Sequence, residues 1–268
     1  MMISTTSELS ILKEKQVFFF DLDGTVYLGN KVFDGVLELI HLLEKREDIQ
    51  FFFLSNNSSR STSDYLTKLD KYGLSVDENH IILSQHPTID YLKKEGFKKL
   101  FLMGTTSLKK EFEKKGFQLT EEEPEILVLG FDQELTYERL VRASYFLQDG
   151  IPYIATHLDN RCPTEKGYIP DAGGIAALLN KTVDRMPRVF GKPNKEMLLF
   201  KLNNLQISPD KAVMFGDRLY TDIKMGLNAE VTTCCVLSGE SSLNMIKKSE
   251  SQPDLIIEGI WKVRDVLQ

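Results

Sequence analysis

The feature that most constrains this chain is a short apolar run that ends abruptly in acidic residues. Val17 to Phe20 contains only strong β-formers, and Asp21-Leu22-Asp23-Gly24-Thr25 follows directly. Such a run is typical of a strand that is buried on both faces of a parallel sheet. Open sheets of this kind bind ligands at the carboxyl ends of their strands. An α/β fold with a polar site after Phe20 is therefore expected.

Strands and helices alternate at both ends of the chain, which predicts a parallel sheet wrapped by helices. The predicted strands are Val17–Phe20, Gln50–Leu54, Arg188–Phe190, Ala212–Phe215, Thr232–Leu237 and Leu255–Ile257. The predicted helices are Val36–Lys45, Ser63–Tyr72, Lys195–Asn203 and Thr221–Gly226.

A second α/β segment lies between roughly Ser84 and Met186 and interrupts this pattern. Its length of about a hundred residues is typical of a domain. We therefore expect a core domain from residues 1–84 plus 187–268 and an inserted α/β domain from residues 85–186. The elements predicted in the insert are Leu100–Met103, Ile126–Gly130, Tyr137–Gln148, Pro152–Thr156 and Gly174–Asn180.

Composition argues against several classes of function. The formal charge of −6 disfavours binding to nucleic acid or to an anionic membrane. The three cysteines do not have the spacing of a zinc site or of a disulfide framework. Residues 1–16 lack the pattern of a signal peptide, and the apolar runs are too short to span a bilayer. A cytoplasmic protein is expected, in which an anionic substrate would need a metal ion or a few placed lysines.

Two carboxylates stand two residues apart after the first strand. Of Asp21 and Asp23, one can be a nucleophile held on a metal, and the other can donate a proton to a leaving group. Gly24 allows the backbone to turn sharply there. The alternative is a solvated Asp-rich turn, which the preceding apolar strand and the following Gly-Thr disfavour.

A second acidic motif, Gly216 to Asp222, follows the predicted strand Ala212–Phe215. Mg²⁺ prefers oxygen ligands, so Asp217 is a candidate metal ligand. Asp222 could bind the metal or hold a metal-bound water. The alternative for Asp222 is an acidic residue that favours the start of a helix.

Lys192 and Ser55 follow two further predicted strands. Lys192 could offset the repulsion between two aspartates and bind a phosphate oxygen as a point charge. Ser55 and Asn56 could donate hydrogen bonds to a phosphate at the start of a helix. The alternatives are a solvated lysine and an ordinary helix cap.

Taken in order, these segments resemble the four signature motifs of the haloacid dehalogenase superfamily of phosphohydrolases. The motifs are Asp-x-Asp-x-Thr at 21–25, Ser at 55, Lys at 192 and Gly-Asp-x-x-x-x-Asp at 216–222. The resemblance implies a modified Rossmann-like, doubly wound parallel sheet with an inserted α/β cap domain that selects the substrate. It also implies a Mg²⁺ cofactor and an aspartyl-phosphate intermediate.

The resemblance also implies a role for each motif residue. Asp21 would be the nucleophile, and Asp23 would be the general acid and later the general base. The metal would be held by Asp21, the backbone carbonyl of Asp23 and Asp217, and Asp222 would either bind it directly or hold a metal-bound water. The candidate phosphate contacts are Thr25, Ser55, Asn56 and Lys192.

The inserted segment resembles the class IIA branch, through Val128–Asp132, Ala155–Asp159, Cys162–Gly167 and Asp171–Gly173. This branch includes enzymes similar to 4-nitrophenyl phosphatase, ribonucleotide phosphatase and phosphoglycolate phosphatase. The family usually has Asn-Pro where this chain has His157-Leu158, in a loop that faces the active site in relatives, so the resemblance leaves the substrate open. His157 is either a substrate contact or an ordinary residue of the cap loop.

The sequence therefore predicts a phosphatase that acts on a small phosphorylated metabolite, without nucleic-acid or membrane partners. The carboxylate at Asp23 favours a phosphatase or a mutase over a dehalogenase or an ATPase. The alternatives are a phosphotransferase or mutase, and a regulatory module that receives a phosphoryl group. The resemblance also allows a homodimer that pairs through the cap.

Overall fold

The computed structural model describes residues 2–164 and 166–268. The chain divides into two compact units. The first unit comprises Met1–Ser55, Tyr65–Ile82 and Lys192–Gln268, and the second comprises Asn56–Asp64 and Leu83–Gly191. The chain therefore passes into the second unit twice, once briefly after Ser55 and once for the long insert.

The regular elements are numbered in chain order. The strands are β1 (Val17–Asp21), β2 (Tyr27–Leu28), β3 (Lys31–Val32), β4 (Gln50–Ser55), β5 (Ile81–Leu83), β6 (Lys99–Met103), β7 (Gln118–Leu119), β8 (Ile126–Leu129), β9 (Tyr153–Ala155), β10 (Arg161–Thr164), β11 (Gly167–Pro170), β12 (Arg188–Val189), β13 (Ala212–Gly216), β14 (Thr232–Val236) and β15 (Leu255–Ile257). The α-helices are α1 (Thr6–Leu9), α2 (Val36–Glu44), α3 (Thr62–Lys71), α4 (Gln85–Glu95), α5 (Thr106–Lys114), α6 (Tyr137–Gln148), α7 (Ala172–Val183), α8 (Glu196–Leu205), α9 (Lys224–Asn228), α10 (Leu243–Lys248) and α11 (Lys262–Leu267). In the described part of the chain, no helix has the length and hydrophobicity needed to cross a membrane.

The first unit is built on a six-stranded sheet in the order β15-β14-β13-β1-β4-β5. β1 pairs in parallel with both β13 and β4, and Phe20 lies opposite Phe215 on one side and Phe53 on the other. The rings of Phe20 and Phe215 stack with centroids 5.0 Å apart. Burying each such ring contributes roughly 1.5–3 kcal/mol. Because register partners point to the same face of a sheet, these rings form one apolar face around the central strand.

The opposite face of this sheet packs against helices. Phe19 and Met214 share a buried cluster with Met197 on α8 and Met225 on α9. Strand residues alternate between the two faces of a sheet. The all-apolar run of β1 is explained because both of its faces are covered.

The second unit has its own five-stranded sheet in the order β12-β9-β8-β6-β7, with each pair parallel. One buried cluster joins this sheet to Ala143 of α6 and Ile175 of α7. Another joins it to Leu92 of α4 and Phe112 of α5. β10 and β11 form a separate antiparallel hairpin. The predicted α/β class with parallel sheets is confirmed.

Three elements differ from the sequence-based expectation. Arg188–Val189 lies at the edge of the second sheet, although the pattern groups it with the carboxyl-terminal strands of the first. Ile81–Leu83 is an additional edge strand of the first sheet. The helix expected from Thr221 begins earlier, with a π-helical turn at Leu219–Ile223. Strands of two or three residues carry too little periodicity to reveal which sheet they join.

Candidate active site

Three neighbouring strands of the first sheet end in polar residues. Asp21 is the last residue of β1 and is the register partner of Leu54 on β4. Ser55 ends β4, and Asp217 directly follows β13. Because parallel strands lie about 4.8 Å apart, these strand ends bring Asp21, Ser55 and Asp217 to one edge of the sheet.

Lys192 lies between two of the aspartates. Its Nζ donates a short hydrogen bond to Asp21 Oδ1 and lies 2.7 Å from Asp222 Oδ1. Only 4% of Lys192 is exposed. Burial alone would lower the pKa of Lys192, but the charges of Asp21 and Asp222 outweigh it and raise this pKa above its usual value. The lysine is therefore a fixed positive charge beside the Asp21 carboxylate.

Asp21, Asp217 and Asp222 form a cluster of carboxylates. One oxygen from each lies within 4.8 Å of the others. Burial, followed by the charge of Asp222, raises the pKa of Asp21 well above its usual value, although Lys192 opposes this effect. Burial and then Asp222 also raise the pKa of Asp217 to about 6. When all three are ionised, these carboxylates exceed the positive charges of Lys192 and Arg218 by one.

This donor set fits a divalent cation. Asp217 Oδ2 accepts a hydrogen bond from the backbone N–H of Glu240 at 2.7 Å. Asp217 Oδ1 is buried and has no hydrogen-bond partner among the described residues. An unpaired buried carboxylate oxygen is costly unless a charge satisfies it. Hard cations such as Mg²⁺ bind carboxylate oxygens of this kind, so Asp21, Asp217 and Asp222 are suitable metal ligands.

Two glycines leave the room that these carboxylates occupy. A Cβ at Gly216 would lie 2.2 Å from Cβ of Asp222. A Cβ at Gly24 would lie 2.4 Å from Asp217 Oδ2, and Gly24 has a φ of +92°, which other residues rarely adopt. Because Gly24 and Gly216 have no side chains, the carboxylates of Asp217 and Asp222 have the space that they occupy.

Asp23 and Thr25 lie in the turn after β1 and differ in exposure. Asp23 is exposed to solvent, so its carboxyl group is accessible for proton exchange. Its Oδ2 accepts a hydrogen bond from the hydroxyl of Tyr27 at 3.4 Å. Thr25 is fully buried, and its Oγ1 has no hydrogen-bond partner among the described residues. The turn therefore offers one accessible carboxyl group and one buried hydroxyl.

Ser55 and Asn56 fall on opposite sides of the boundary between the units. Ser55 Oγ shares a 2.9 Å hydrogen bond with the hydroxyl of Tyr65 in the first unit. Asn56 belongs to the second unit, where its Nδ2 donates to Asp159 Oδ1 at 3.1 Å. Ser55 is thus held within the first unit and Asn56 within the second.

His157 is fully buried within the second unit. Its Nδ1 accepts a hydrogen bond from the backbone N–H of Asp159 at 3.3 Å, and its Nε2 lies 3.6 Å from Asp171 Oδ1. Burial raises the pKa of Asp171 to about 6. This position favours a structural role for His157 in its loop over direct substrate contact.

Several residues near the predicted site were not found from the sequence. Arg218 is within the second acidic motif, and the charges of Asp21 and Asp217 raise its pKa although burial alone would lower it. Tyr27 and Lys68 meet beside Asp23. Arg218 could have been found from its position in the motif, whereas Lys68 carries no local signal because it comes from a distant helix.

The Asp217 pKa predicts that metal binding depends on pH. A folded-state pKa of about 6 lies above the usual value for an aspartate. Its contribution to stability is therefore full below the usual pKa and is lost as the pH rises through about 6. Above that pH the metal-free protein carries an unfavourable charge, which a cation offsets. We expect MgCl₂ to raise the melting temperature at least about twofold more at pH 7.5 than at pH 5.5.

A thermal shift assay at both pH values measures this effect. The Asp217→Asn variant is the control, and its response to MgCl₂ should be small at both pH values. An equal response of the natural protein at pH 5.5 and 7.5 would contradict the proposed part of Asp217 in metal binding.

Two family models match this chain. Residues 18–118 match the family model of haloacid dehalogenase-like hydrolases, and residues 189–263 match a second, HAD-hydrolase-like model. The structure is similar to that of a 4-nitrophenylphosphatase from Thermotoga maritima, with a TM-score of 0.92 and 37% identity, covering 96% of this chain and 99% of that one.

Two curated relatives match over similar lengths. An acid sugar phosphatase from Staphylococcus saprophyticus is 27% identical over 94% of this chain and 98% of its own length. The ribonucleotide monophosphatase NagD from Escherichia coli is 29% identical over 91% of this chain and 96% of its own length. The chain therefore belongs to the haloacid dehalogenase-like hydrolases, and it is a phosphatase of their class IIA branch, together with the 4-nitrophenylphosphatases and NagD.

Proposed function

We propose that this phosphatase hydrolyses small phosphomonoesters through an aspartyl-phosphate on Asp21. The main support for this proposal is the hydrogen bond that buried Lys192 donates to the Asp21 carboxylate at the edge of the first sheet. Asp217 and Asp222 complete a cluster that fits a divalent cation. The exposed carboxyl group of Asp23 lies in the adjoining turn.

In the first step, a carboxylate oxygen of Asp21 attacks phosphorus in line with the leaving group. The bond between phosphorus and the ester oxygen breaks, and its electron pair goes to that oxygen. Asp23, in its protonated form, transfers its proton to the same oxygen, so that an alcohol departs. Asp21 then carries the phosphoryl group as a mixed anhydride.

In the second step, water attacks the phosphorus of the aspartyl-phosphate. Asp23 is now a carboxylate and takes a proton from that water. The anhydride bond breaks, Asp21 regains its carboxylate, and inorganic phosphate leaves. Asp23 ends the cycle in the protonated form in which it began, so the proton balance closes.

The phosphoryl oxygens carry negative charge throughout, and the site must neutralise it. Lys192 supplies a fixed cation, and the hydroxyl of Ser55 supplies a hydrogen-bond donor at the end of β4. Thr25 and Asn56 are proposed as further phosphate contacts. A Mg²⁺ ion held by Asp21, the Asp23 carbonyl, Asp217 and Asp222 would supply additional positive charge when bound. Such placed charges usually contribute the largest single part of catalysis.

We assign the choice of substrate to the inserted cap domain, for which the sequence suggests residues 85–186, and the chemistry to the first unit, which contains Asp21, Lys192, Asp217 and Asp222. Sugar phosphates and nucleotides are the first substrates to test, because the matched relatives are named for them. Pairing through the cap and a cytoplasmic location stay predictions.

The test is phosphate release from a panel of sugar phosphates, nucleoside monophosphates, glycerol phosphates and 4-nitrophenyl phosphate. Each ester is measured with MgCl₂ and with EDTA. We expect release that falls by at least about 100-fold in EDTA and returns when Mg²⁺ is added in excess. Equal release with EDTA would contradict the metal requirement. Transfer of phosphate to an added sugar faster than to water would favour the phosphotransferase alternative.

A further inference from the structure

We propose that Tyr27 and Lys68 position the carboxyl group of Asp23 for proton transfer. This inference rests on the proposed role of Asp23 as general acid and base. Neither residue belongs to a signature motif, and neither is assigned to substrate or metal. Both lie in the first unit together with Asp23.

The backbone places Tyr27 against Asp23. The two residues form an isolated β-bridge, and the N–H of Gly24 donates to the carbonyl of Tyr27 at 2.8 Å. This tight turn returns the chain to its own start within four residues. The ring of Tyr27 is completely buried while the Asp23 side chain is exposed. A rigid phenol therefore supports one end of an otherwise solvated carboxyl group.

Lys68 determines the direction of the hydrogen bonds. Its Nζ, from helix α3, donates to the hydroxyl oxygen of Tyr27 at 2.8 Å. A lysine ammonium has only donors, so the hydroxyl oxygen must be the acceptor in this contact. The hydroxyl proton is then available to Asp23 Oδ2, which lies 3.4 Å away. Lys68 thus donates a hydrogen bond to Tyr27, and Tyr27 donates one to Asp23.

The lysine is itself held in place by aromatic rings. Its Nζ lies 4.2 Å from the ring centroid of Tyr27 and 5.8 Å from that of Tyr72. The two tyrosine rings pack edge to face, with centroids 5.1 Å apart. A cation at such distances from ring faces is attracted to them. The group is therefore ordered before any substrate binds.

The consequence concerns which oxygen of Asp23 moves the proton. Oδ2 is occupied by the Tyr27 hydroxyl, so Oδ1 is left to carry the transferred proton. The contact is long for an O–H···O bond, and catalytic hydrogen bonds in ligand-free enzymes often tighten when substrate binds. Without the hydroxyl of Tyr27, the exposed side chain of Asp23 would sample more rotamers, and fewer of them would direct the proton to the leaving oxygen.

Leaving-group chemistry separates this role from a merely structural one. An alkoxide needs a proton in order to leave, whereas nitrophenolate is stable as an anion. The Tyr27→Phe variant should therefore lower the single-turnover rate of alcohol release about 10-fold with the best alkyl phosphate of the panel. The same variant should change the burst of nitrophenolate from 4-nitrophenyl phosphate by less than about twofold. Lys68→Met should show the same selectivity with a smaller loss.

Tyr72→Phe is the matched control. It removes a hydroxyl from the same aromatic group, but this hydroxyl contacts Gly29 and Asn30 rather than Asp23. We expect both rates to stay within about twofold of the natural protein. Equal losses on both substrates in Tyr27→Phe, or no loss on either, would overturn the inference.

A double-mutant cycle with Asp23→Asn separates the inference from the proposed function. If Tyr27 acts through Asp23, then Tyr27→Phe should cause no further loss in the Asp23→Asn background. A further 10-fold loss there would show that Tyr27 acts elsewhere, which overturns the inference but leaves the role of Asp23 intact. If Asp23→Asn alone keeps the full rate with the alkyl phosphate, the general-acid assignment itself is wrong.

Discussion

Replacing Asp21 by asparagine should lower kcat by at least about 10⁴-fold while the protein stays folded. The amide has nearly the shape of the carboxylate, but it is a poor nucleophile and cannot form the aspartyl-phosphate. No neighbouring carboxylate can take over, because Asp217 and Asp222 are expected to hold the metal. The loss should be the same for every phosphomonoester, since the leaving group is not involved.

The same substitution should not reduce stability. Burial and the charge of Asp222 raise the pKa of Asp21, so ionisation of this group is less favourable in the folded state than in the unfolded chain. Removing that charge relieves repulsion, while Lys192 keeps its contact with Asp222. We therefore expect the melting temperature of metal-free Asp21→Asn to equal or exceed that of the natural protein. Active sites commonly contain charged groups whose burial lowers the stability of the protein but is needed for function.

Phosphate release, thermal melting and phosphoenzyme trapping test the two expectations together. Acid quenching of the natural protein with ³²P-labelled substrate should trap a protein-bound phosphate that Asp21→Asn lacks. Asp34→Asn serves as control because Asp34 is an exposed aspartate outside the proposed site. Turnover of Asp21→Asn within tenfold of the natural protein would exclude Asp21 as the nucleophile.

The sequence predicts the central part of this molecule well because the relevant signals are local. The apolar run before Asp21 predicts a strand covered on both faces, and the structure confirms this because Val17 to Phe20 are completely buried. The carboxyl-end rule then groups Asp21, Ser55 and Asp217 without knowledge of the tertiary structure. The signals are strong there because hydrophobicity, turn residues and ligand chemistry all agree.

The features that the sequence did not predict depend on contacts between distant parts of the chain. Lys68 reaches the hydroxyl of Tyr27 from 41 positions away along the sequence, and nothing in its helix marks it. The edge strands Ile81–Leu83 and Arg188–Val189 are too short to show which sheet they join. Asn56 belongs to the second unit, where it donates a hydrogen bond to Asp159, a residue 103 positions away along the sequence. None of these features has a periodic pattern that a sequence could display.

Replacing Lys192 by methionine should impair both stability and catalysis. Methionine retains the length of the side chain but leaves Asp21 and Asp222 buried without their shared cation. Breaking a buried ion pair by removing one partner typically costs about 3–5 kcal/mol of unfolding free energy. Loss of one fixed positive contact to the phosphoryl group should also lower kcat by about 10²–10³-fold. In this respect the variant differs from Asp21→Asn, which should lose activity alone.

Urea unfolding of the metal-free proteins, with Lys195→Met as control, measures the stability effect. Lys195 is exposed, so its substitution should change the free energy of unfolding by no more than about 0.5 kcal/mol. In the double variant Lys192→Met with Asp222→Asn, removal of one unpaired charge should restore part of the lost stability. Phosphate release should stay low in that double variant, because the introduced amide does not replace the lysine at the phosphoryl group. If Lys192→Met unfolds at the same urea concentration as the natural protein, Lys192 does not stabilise the buried carboxylates of Asp21 and Asp222.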